Sequence, residues 1–204
     1  MNEISGPIRI EHKTTQAAEG LPRLAWTLAE FEKLSELGFF GGVDHERERL
    51  ELIEGELVPM HAKGGRHEWV RGKLLQALFR RLPAGFEIYP EPGWRPGGEL
   101  YLEPDFILCK EVKEPSEIPP GHVSLIIEVA DSSKSYDLAT KARIYATLGV
   151  REYWVVNAVT LETTVHLKPE GEVYGEIVTF APDQKLVPHL VPALAVVMGE
   201  LEIR

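Results

Sequence analysis

Residues 123–130, VSLIIEVA, form an almost continuous apolar run and constrain the fold more than any other segment. A short run of this kind is typical of a β-strand that is buried on both faces of a sheet. Residues 135–148 predict a helix that ends at Gly149, and residues 151–157, REYWVVN, predict another strand. This order of strand, helix and strand predicts a parallel crossover unit.

The other predicted elements extend this unit on both sides. Periodicity and bounding turn residues indicate, in chain order, a helix at 27–37, a hairpin at 50–58, a helix at 67–82, strands at 86–95 and 100–110, and a hairpin at 163–180. Residues 1–22 are polar and interrupted by Gly and Pro, which is typical of an N-terminal arm. We therefore predict one α/β (α+β) domain over residues 23–204, with a central mixed sheet flanked by helices and a hairpin added near each end.

The composition is that of an ordinary globular protein, with 44% hydrophobic and 26% charged residues in a chain of 204. Cys109 is the one cysteine, so no intramolecular disulfide forms, as is usual in a reducing compartment. No stretch approaches the ~20 apolar residues of a membrane span, and the first residues lack the apolar run of a secretory signal. We therefore predict a cytoplasmic protein without a membrane partner.

Charge is distributed unevenly along the chain. The formal net charge of −10 disfavours a general nucleic-acid coat protein. Residues 61–82 nevertheless carry six Lys and Arg residues against Glu68 alone. A concentrated basic segment can bind a phosphate backbone even in an acidic protein, although a solvated basic helix has the same composition. The candidates for DNA contact in this segment are Lys63, Arg66, Arg71 and Lys73.

Two carboxylates lie where apolar residues are expected. Glu128 is inside the run VSLIIEVA, and a buried carboxylate needs a base, a hydrogen-bond donor or a metal as its partner. Asp105 follows Pro104 at the start of the apolar residues FILC. If the two strands pair, Asp105 and Glu128 converge, and their hard oxygen ligands favour Mg²⁺ or Mn²⁺. A structural ion pair of Glu128 is the alternative.

The predicted helix after Glu128 carries further polar candidates. Asp137, Lys141 and Tyr145 are spaced four residues apart, so they share one face of an α-helix. Helical side chains lean toward the N-terminus, and Lys141 lies roughly 9 Å along the axis from the start of the helix. Its long side chain can therefore reach back toward the two carboxylates. The alternative is an exposed ion pair between Asp137 and Lys141.

Three more residues are weaker candidates. His67 and Arg71 fall on the apolar stripe of their predicted helix, so they face either the site or a phosphate, unless they form a satisfied pair at the core boundary. Glu56 follows the hairpin turn and could be a further acidic ligand, although exposed hairpin glutamates are common.

The seven histidines lack HxxxH and HxH spacing, which disfavours a zinc site. The absence of GxSxG and GxxxxGK[ST] disfavours a serine hydrolase and a P-loop enzyme.

Several motifs of this chain occur in the same order in a known family. They are Glu51-Leu52-Ile53-Glu54-Gly55-Glu56-Leu57, His67, Pro104-Asp105, Ile127-Glu128-Val129 with Ser132-Ser133, Asp137, Lys141, Tyr145 and Gly149-Val150-Arg151-Glu152-Tyr153-Trp154. Together they resemble the Uma-type endonuclease family of the PD-(D/E)XK superfamily over about residues 25–200. The resemblance implies a restriction-endonuclease-like fold with Mg²⁺ or Mn²⁺ held by Asp105 and Glu128. The superfamily's lysine would stand at Ala130, so the resemblance implies that Lys141 fills its role from the next helix.

These observations favour a metal-dependent endonuclease that hydrolyses DNA phosphodiester bonds, with Asp105, Glu128 and Lys141 as catalytic residues. The alternative is a non-catalytic DNA- or protein-binding module on the same fold, which Ala130 and the acidic net charge favour. Hydrolysis of a small phosphoester is a third hypothesis, because a fold does not define a function. Cleavage of two strands by one type of site favours a homodimer.

Overall fold

In the computed structural model, the described residues are 8–10, 23–40, 49–60, 63–131 and 136–202. The chain forms two compact units, a smaller one of Met1–His61 with Arg95–Leu102 and a larger one of Ala62–Trp94 with Glu103–Arg204. Most of the arm predicted over residues 1–22 lies outside the described residues. The extent of a domain over residues 23–204 stays a prediction.

The strands, in chain order, are β1 (Ile8–Ile10), β2 (Arg23–Ala25), β3 (Leu50–Ile53), β4 (Glu56–Pro59), β5 (Phe86–Pro90), β6 (Leu100–Tyr101), β7 (Phe106–Lys110), β8 (Val123–Ala130), β9 (Glu152–Asn157), β10 (Thr163–Glu170), β11 (Val173–Phe180), β12 (Lys185–Leu186) and β13 (Val196–Val197). The helices are α1 (Leu28–Glu36), α2 (Gly65–Phe79) and α3 (Ala142–Thr147), and the π-helical turn Asp137–Lys141 runs directly into α3. Short 3-10 turns occupy Pro115–Glu117, Pro120–His122, Pro192–Leu194 and Met198–Glu200. Within the described ranges, no helix is long and apolar enough to cross a membrane.

The smaller unit is built on the predicted helix and hairpin, which are both confirmed. Thr27 and Glu30 form a capping box, in which the Thr27 hydroxyl accepts from the Glu30 N–H at 3.2 Å and the Glu30 carboxylate accepts from the Thr27 N–H at 3.0 Å. Strand β3 pairs with β4 across the turn at Gly55, whose φ of 83° favours glycine, and with β6 on its other side. Phe31 and Leu52 are buried in the apolar cluster of this unit.

The larger unit contains a six-stranded mixed sheet in the order β11-β10-β9-β8-β7-β5. Its neighbouring strands are antiparallel except for β8 and β9, which run parallel and are connected through the π-helical turn and α3. Every residue of β8 is buried, as its apolar sequence predicts. The central mixed sheet, the crossover unit and the C-terminal hairpin of β10 and β11 are therefore confirmed.

The two faces of β8 have different neighbours. Ile127 and Val129 belong, with Val70 of α2, to the main apolar cluster of the larger unit. Because successive side chains of a strand point to opposite faces, Glu128 and Ala130 point to the other face of the sheet. That face is covered by the π-helical turn and α3, which carry polar groups that reach Glu128.

Two strands are shorter than their sequence patterns predict. The strand predicted at 86–95 ends at Pro90, because Glu91 adopts a φ of 47°, a left-handed conformation that interrupts a strand. The strand predicted at 100–110 is divided into β6 and β7, because Pro104 supplies no N–H to a sheet ladder. Glu91 lies across from Asp105 in the larger unit, and Pro104 directly precedes Asp105 in the chain. Both interruptions therefore shape the site described below.

Candidate functional site

The two acidic residues singled out in the sequence meet near the carboxyl end of β8. Strands β7 and β8 pair with Phe106 opposite Ile127, which places Asp105 beside Glu128. The Asp105 N–H donates to Glu128 Oε2 at 3.3 Å, and the Val129 N–H donates to Asp105 Oδ2 at 2.8 Å. Only 3% of Asp105 and 5% of Glu128 are exposed. The structure therefore brings together two buried carboxylates from adjacent strands.

The segment after β8 supplies two donors to Glu128. Lys141 Nζ donates to Glu128 Oε1 at 2.9 Å, and the Tyr145 hydroxyl donates to the same oxygen at 2.9 Å. The predicted α-helix begins here as a π-helical turn, a rare conformation that is often found at functional sites. Asp137 is buried, and its carbonyl accepts a hydrogen bond from the Tyr153 hydroxyl at 3.1 Å. Because Asp137 and Lys141 are both buried, an exposed ion pair between them is excluded.

Charged side chains also surround Asp105 from the side of α2. Lys63 Nζ donates to Asp105 Oδ1 at 2.7 Å and to Glu91 Oε1 at 2.5 Å. His67, on the first turn of α2, places its Nε2 at 3.0 Å from Asp105 Oδ2. Asp105 is therefore contacted by a cationic side chain at one oxygen and by an imidazole at the other.

These contacts continue into a closed circle of side chains. His67 Nδ1 lies 3.2 Å from Glu68 Oε1, and Arg71 donates to Glu68 Oε2 at 2.6 Å. The other side of the Arg71 guanidinium lies 2.9 Å from Glu91 Oε2. We call this circle the ionic ring, and its members are Lys63, Asp105, His67, Glu68, Arg71 and Glu91.

Glu91 is a site residue that sequence reasoning missed. Its N–H donates to the Asp105 carbonyl at 3.1 Å, so Glu91 lies directly across from Asp105. Its position between Pro90 and Pro92 could have indicated this role, because prolines on both sides of a residue interrupt the hydrogen-bond ladder of a strand there. Glu56, the predicted further acidic ligand, begins β4 in the smaller unit and is exposed.

The pKa of Asp105 is governed by its partners. Burial by itself raises the pKa of a carboxyl, but the hydrogen bond and charge of His67, together with the Lys63 ammonium, hold the pKa of Asp105 well below its usual range. Asp105 is therefore an anion at neutral pH, which is the protonation state that a metal ligand requires.

The two buried carboxylates suit a hard divalent cation. In the part of the chain that the structure describes, no three His, Cys, Asp or Glu side chains are grouped so that they could hold one metal ion. Mg²⁺ commonly binds through only one or two carboxylates and completes its shell with water and substrate phosphates. Asp105 and Glu128 meet that smaller requirement, so the residues present fit Mg²⁺ or Mn²⁺.

Three of the four residues predicted to contact DNA are engaged within the protein. Lys63 and Arg71 belong to the ionic ring. The Arg66 guanidinium donates to the backbone carbonyls of Ala158 at 2.8 Å and Val159 at 3.2 Å. These three side chains therefore organise the protein itself at the N-terminal half of α2.

The fourth predicted residue lies in a different environment. Lys73 is half-buried on α2 and lines an open cavity of about 290 Å³ together with Arg80 and Arg81. Glu200 and Glu202 line the same cavity from the C-terminal segment. Cationic side chains are thus also present at the C-terminal half of α2, where the predicted basic segment ends.

Comparisons with known proteins identify a similar fold and a family. The fold is similar to that of a protein from Anabaena variabilis ATCC 29413, described as "a putative nuclease belonging to DUF820", with a TM-score of 0.63, 19% sequence identity, and coverage of 86% of this chain and 97% of that chain. No curated protein matches the chain. Residues 28–199 match the family Uma2, described as "Putative restriction endonuclease". Because that match covers most of the sequence, the chain belongs to the Uma2 family.

Proposed function

We propose that this protein hydrolyses DNA phosphodiester bonds with Mg²⁺ or Mn²⁺ held by Asp105 and Glu128. The observation that carries the proposal is the pairing of these two buried carboxylates, each with a lysine ammonium at one of its oxygens. Membership of the Uma2 family supports a nuclease of the restriction-endonuclease-like type.

The residues of the site would have distinct roles in this reaction. When bound, the metal supplies a water of lowered pKa and neutralises charge on the phosphate. Asp105 and Glu128 would hold it, while His67 at 3.0 Å from Asp105 and Tyr145 at 2.9 Å from Glu128 orient the two carboxylates. Lys141, on the same Glu128 oxygen as Tyr145, would stabilise the negative charge that develops on the phosphate.

The absence of a lysine at Ala130 is compatible with this role of Lys141. Ala130 is fully buried and lies two residues beyond Glu128, so both side chains point to the same face of β8. A lysine at this position would approach the carboxylates along the strand. Lys141 instead approaches Glu128 from the π-helical turn. The two positions are alternative sources of a single ammonium.

Cationic side chains along α2 support a polyanionic substrate. Lys73 and Arg80 share one open cavity near the C-terminal end of α2, and Arg81 lines the same cavity while it donates to the Ala195 carbonyl at 2.7 Å. From His67 to its last residue, Phe79, the helix extends over roughly 18 Å, about the length of five base pairs. A duplex that follows α2 could therefore contact these side chains while one phosphate lies at the carboxylates.

A non-catalytic DNA- or protein-binding module is the second candidate function. Ala130 favours this candidate, because the position at which the superfamily usually has a lysine holds an uncharged residue in this chain. The internal engagement of Lys63, Arg66 and Arg71 favours a protein partner over DNA for such a module, because these cations are already partnered. A module of this kind would bind its partner without breaking a phosphodiester bond.

Cleavage of supercoiled plasmid DNA in Mg²⁺ or Mn²⁺, with EDTA as the control, tests the proposal. Lys141→Ala is expected to abolish cleavage and to leave metal binding largely intact, because both carboxylates remain. Lys110→Ala, at an exposed lysine that ends β7, is a matched control and is expected to cleave like the wild type. Cleavage by Lys141→Ala at the wild-type rate would contradict the role of Lys141.

A second variant tests whether the ammonium can come from the strand. Ala130→Lys, added to Lys141→Ala, is expected to restore part of the activity. Only partial recovery is expected, because a misplacement of ~1 Å can reduce a rate ~100-fold. DNA binding by the wild type without cleavage in either metal would instead support the non-catalytic module.

A further inference from the structure

We infer that Lys63 is an internal counter-ion of the metal site, which a divalent cation must displace from Asp105 and which Glu91 then retains. The inference rests on the proposed role of Asp105 as a metal ligand. Its basis is the occupation of both Asp105 oxygens and the bridge that Lys63 forms between two carboxylates.

Both oxygens of Asp105 already have partners. Oδ2 accepts the Val129 N–H at 2.8 Å and lies 3.0 Å from His67 Nε2. Oδ1 accepts Lys63 Nζ at 2.7 Å. The partners of Oδ2 are held by β8 and α2, whereas the partner of Oδ1 is the end of a flexible side chain. A cation that binds Asp105 through Oδ1 therefore meets the Lys63 ammonium.

Glu91 provides a second acceptor for this ammonium. Lys63 Nζ lies 2.5 Å from Glu91 Oε1 and so contacts Glu91 and Asp105 at the same time. Glu91 itself is held by Arg71 at 2.9 Å and by its own N–H, which donates to the Asp105 carbonyl at 3.1 Å. It therefore stays in place when Asp105 changes its partner. The flexible four-carbon stem of lysine allows its ammonium to remain with Glu91 alone.

This exchange links the charge of Lys63 to the metal affinity. The Lys63 side chain is 16% exposed and that of Asp105 only 4%, so their attraction is screened less than that of a surface pair. Binding of a metal by Asp105 would break this pair and would leave the ammonium close to a divalent cation, where like charges repel. Removal of the Lys63 charge is therefore expected to tighten metal binding. Damage to the fold would have the opposite effect.

Calorimetric titration of the full chain with Mn²⁺ tests the inference. Lys63→Met is expected to bind Mn²⁺ at least about tenfold more tightly than the wild type, or ~1.4 kcal/mol. Lys63→Arg retains the charge and is expected to stay near the wild type. Lys110→Met, at the exposed end of β7, is the matched control and should change the affinity less than about twofold. Asp105→Asn should lose the Mn²⁺ and so identifies the site.

Thermal unfolding with and without Mn²⁺ provides a second readout and shows which variants are folded. In EDTA, Lys63→Met leaves Asp105 without its ammonium partner, so its Tm should be below that of the wild type. Mn²⁺ should raise the Tm of Lys63→Met more than that of the wild type, because a tighter ligand stabilises more by mass action.

The outcomes separate the inference from the proposed function. Equal or weaker Mn²⁺ binding by Lys63→Met, with binding lost in Asp105→Asn, would overturn the inference and leave the metal site standing. Binding by Lys63→Met but not by the wild type would support the inference. Binding that is absent from both, or insensitive to Asp105→Asn, would overturn the metal site and the inference with it. If Lys63→Met does not fold, Lys63→Gln replaces it, and failure of both to fold in Mn²⁺ would show a purely structural lysine and overturn the inference.

Discussion

Two buried glutamates on neighbouring parallel strands have very different surroundings. Glu128 lies near the carboxyl end of β8, and Glu152 is the first residue of β9, with exposures of 5% and 1%. The register of Ile126 with Tyr153 places the two glutamates on opposite faces of the sheet. They are also separated along the strand direction by three residues, or roughly 10 Å.

The partners of Glu152 are N–H groups that hold a loop against the sheet. Its Oε1 accepts from Trp154 Nε1 at 2.8 Å, and its Oε2 accepts from the backbone N–H of His189 at 2.8 Å. Burial raises the pKa of Glu152, and these hydrogen bonds and the nearby His189 lower it only in part. We therefore assign Glu152 to the architecture of the larger unit.

Glu128 differs from Glu152 because a lysine ammonium contacts its carboxylate. Its Oε1 accepts from the Lys141 ammonium and the Tyr145 hydroxyl, and its Oε2 accepts from the backbone N–H of Asp105. The comparison teaches that burial of a carboxylate does not by itself indicate a functional site. What indicates a functional site at Glu128 is the presence of a second carboxylate and a lysine beside it.

The largest difference between the two glutamates is expected in DNA cleavage. Glu128→Gln removes a proposed metal ligand, so the cleavage rate is expected to fall about 1000-fold, or ~4 kcal/mol. Glu152→Gln should cleave at close to the wild-type rate, because Glu152 faces the other side of the sheet. Plasmid nicking rates at equal protein and metal concentrations measure both. An equal loss of activity in Glu152→Gln would refute the distinction.

A smaller difference is expected in the free energy of unfolding without metal. Glu128→Gln leaves the buried Lys141 ammonium without this carboxylate, which is expected to destabilise the fold by ~3 kcal/mol. Glu152→Gln deprives an N–H group of its acceptor, which is expected to cost ~1–2 kcal/mol. Urea unfolding in EDTA measures both values.

A double variant serves as the control for this prediction. Lys141→Met, added to Glu128→Gln, removes the buried charge and is expected to recover part of the stability. If the double variant is no more stable than Glu128→Gln alone, the loss does not come from the ammonium. The ion pair would then contribute little to the fold.

The smallest expected effects are opposite pH dependences of stability. The pKa of Asp105 is lowered in the folded state, so its contribution is present above its ordinary value of 3.8 and is lost as pH falls below it. The pKa of Glu152 is raised, so its contribution is full below its ordinary value of 4.5 and declines as pH rises. Each pKa unit corresponds to on the order of 1 kcal/mol.

Unfolding in urea between about pH 3 and pH 7, in EDTA, measures these dependences. The stability difference between the wild type and Asp105→Asn should shrink as the solution becomes more acidic. The difference between the wild type and Glu152→Gln should shrink as the pH rises. Two differences that change in the same direction would show that the two carboxyls do not have opposite pKa shifts.

Local patterns were sufficient to predict much of the fold and the centre of the site. The apolar run VSLIIEVA predicted β8 with its observed bounds, and the helix and strand after it predicted the parallel crossover. The proline before Asp105 marked the start of an apolar stretch inside a strand predicted over 100–110, and pairing of β7 with β8 then placed Asp105 beside Glu128. These features depend on few residues that are close in the sequence.

Other parts of the site depended on positions far apart in the chain. The approach of Lys141 to Glu128 followed from helix geometry, but the π-helical turn that carries it has no distinct sequence pattern. Lys63 was predicted to contact DNA, whereas the structure places its ammonium on Asp105, 42 residues away. Nothing local to Lys63 indicates which of these partners it takes.

The sequence by itself determined the buried strand β8, the helix and strand that follow it, and that Asp105 and Glu128 need a compensating charge. These properties follow from apolar patterning and from the desolvation cost of a carboxylate, both of which are local. Only the tertiary structure decided which charges meet them. The left-handed turn at Glu91 and the start of α2 close the ionic ring, because each charge pair depends on distances that are set by the packing of α2 and the sheet rather than by neighbours in the chain.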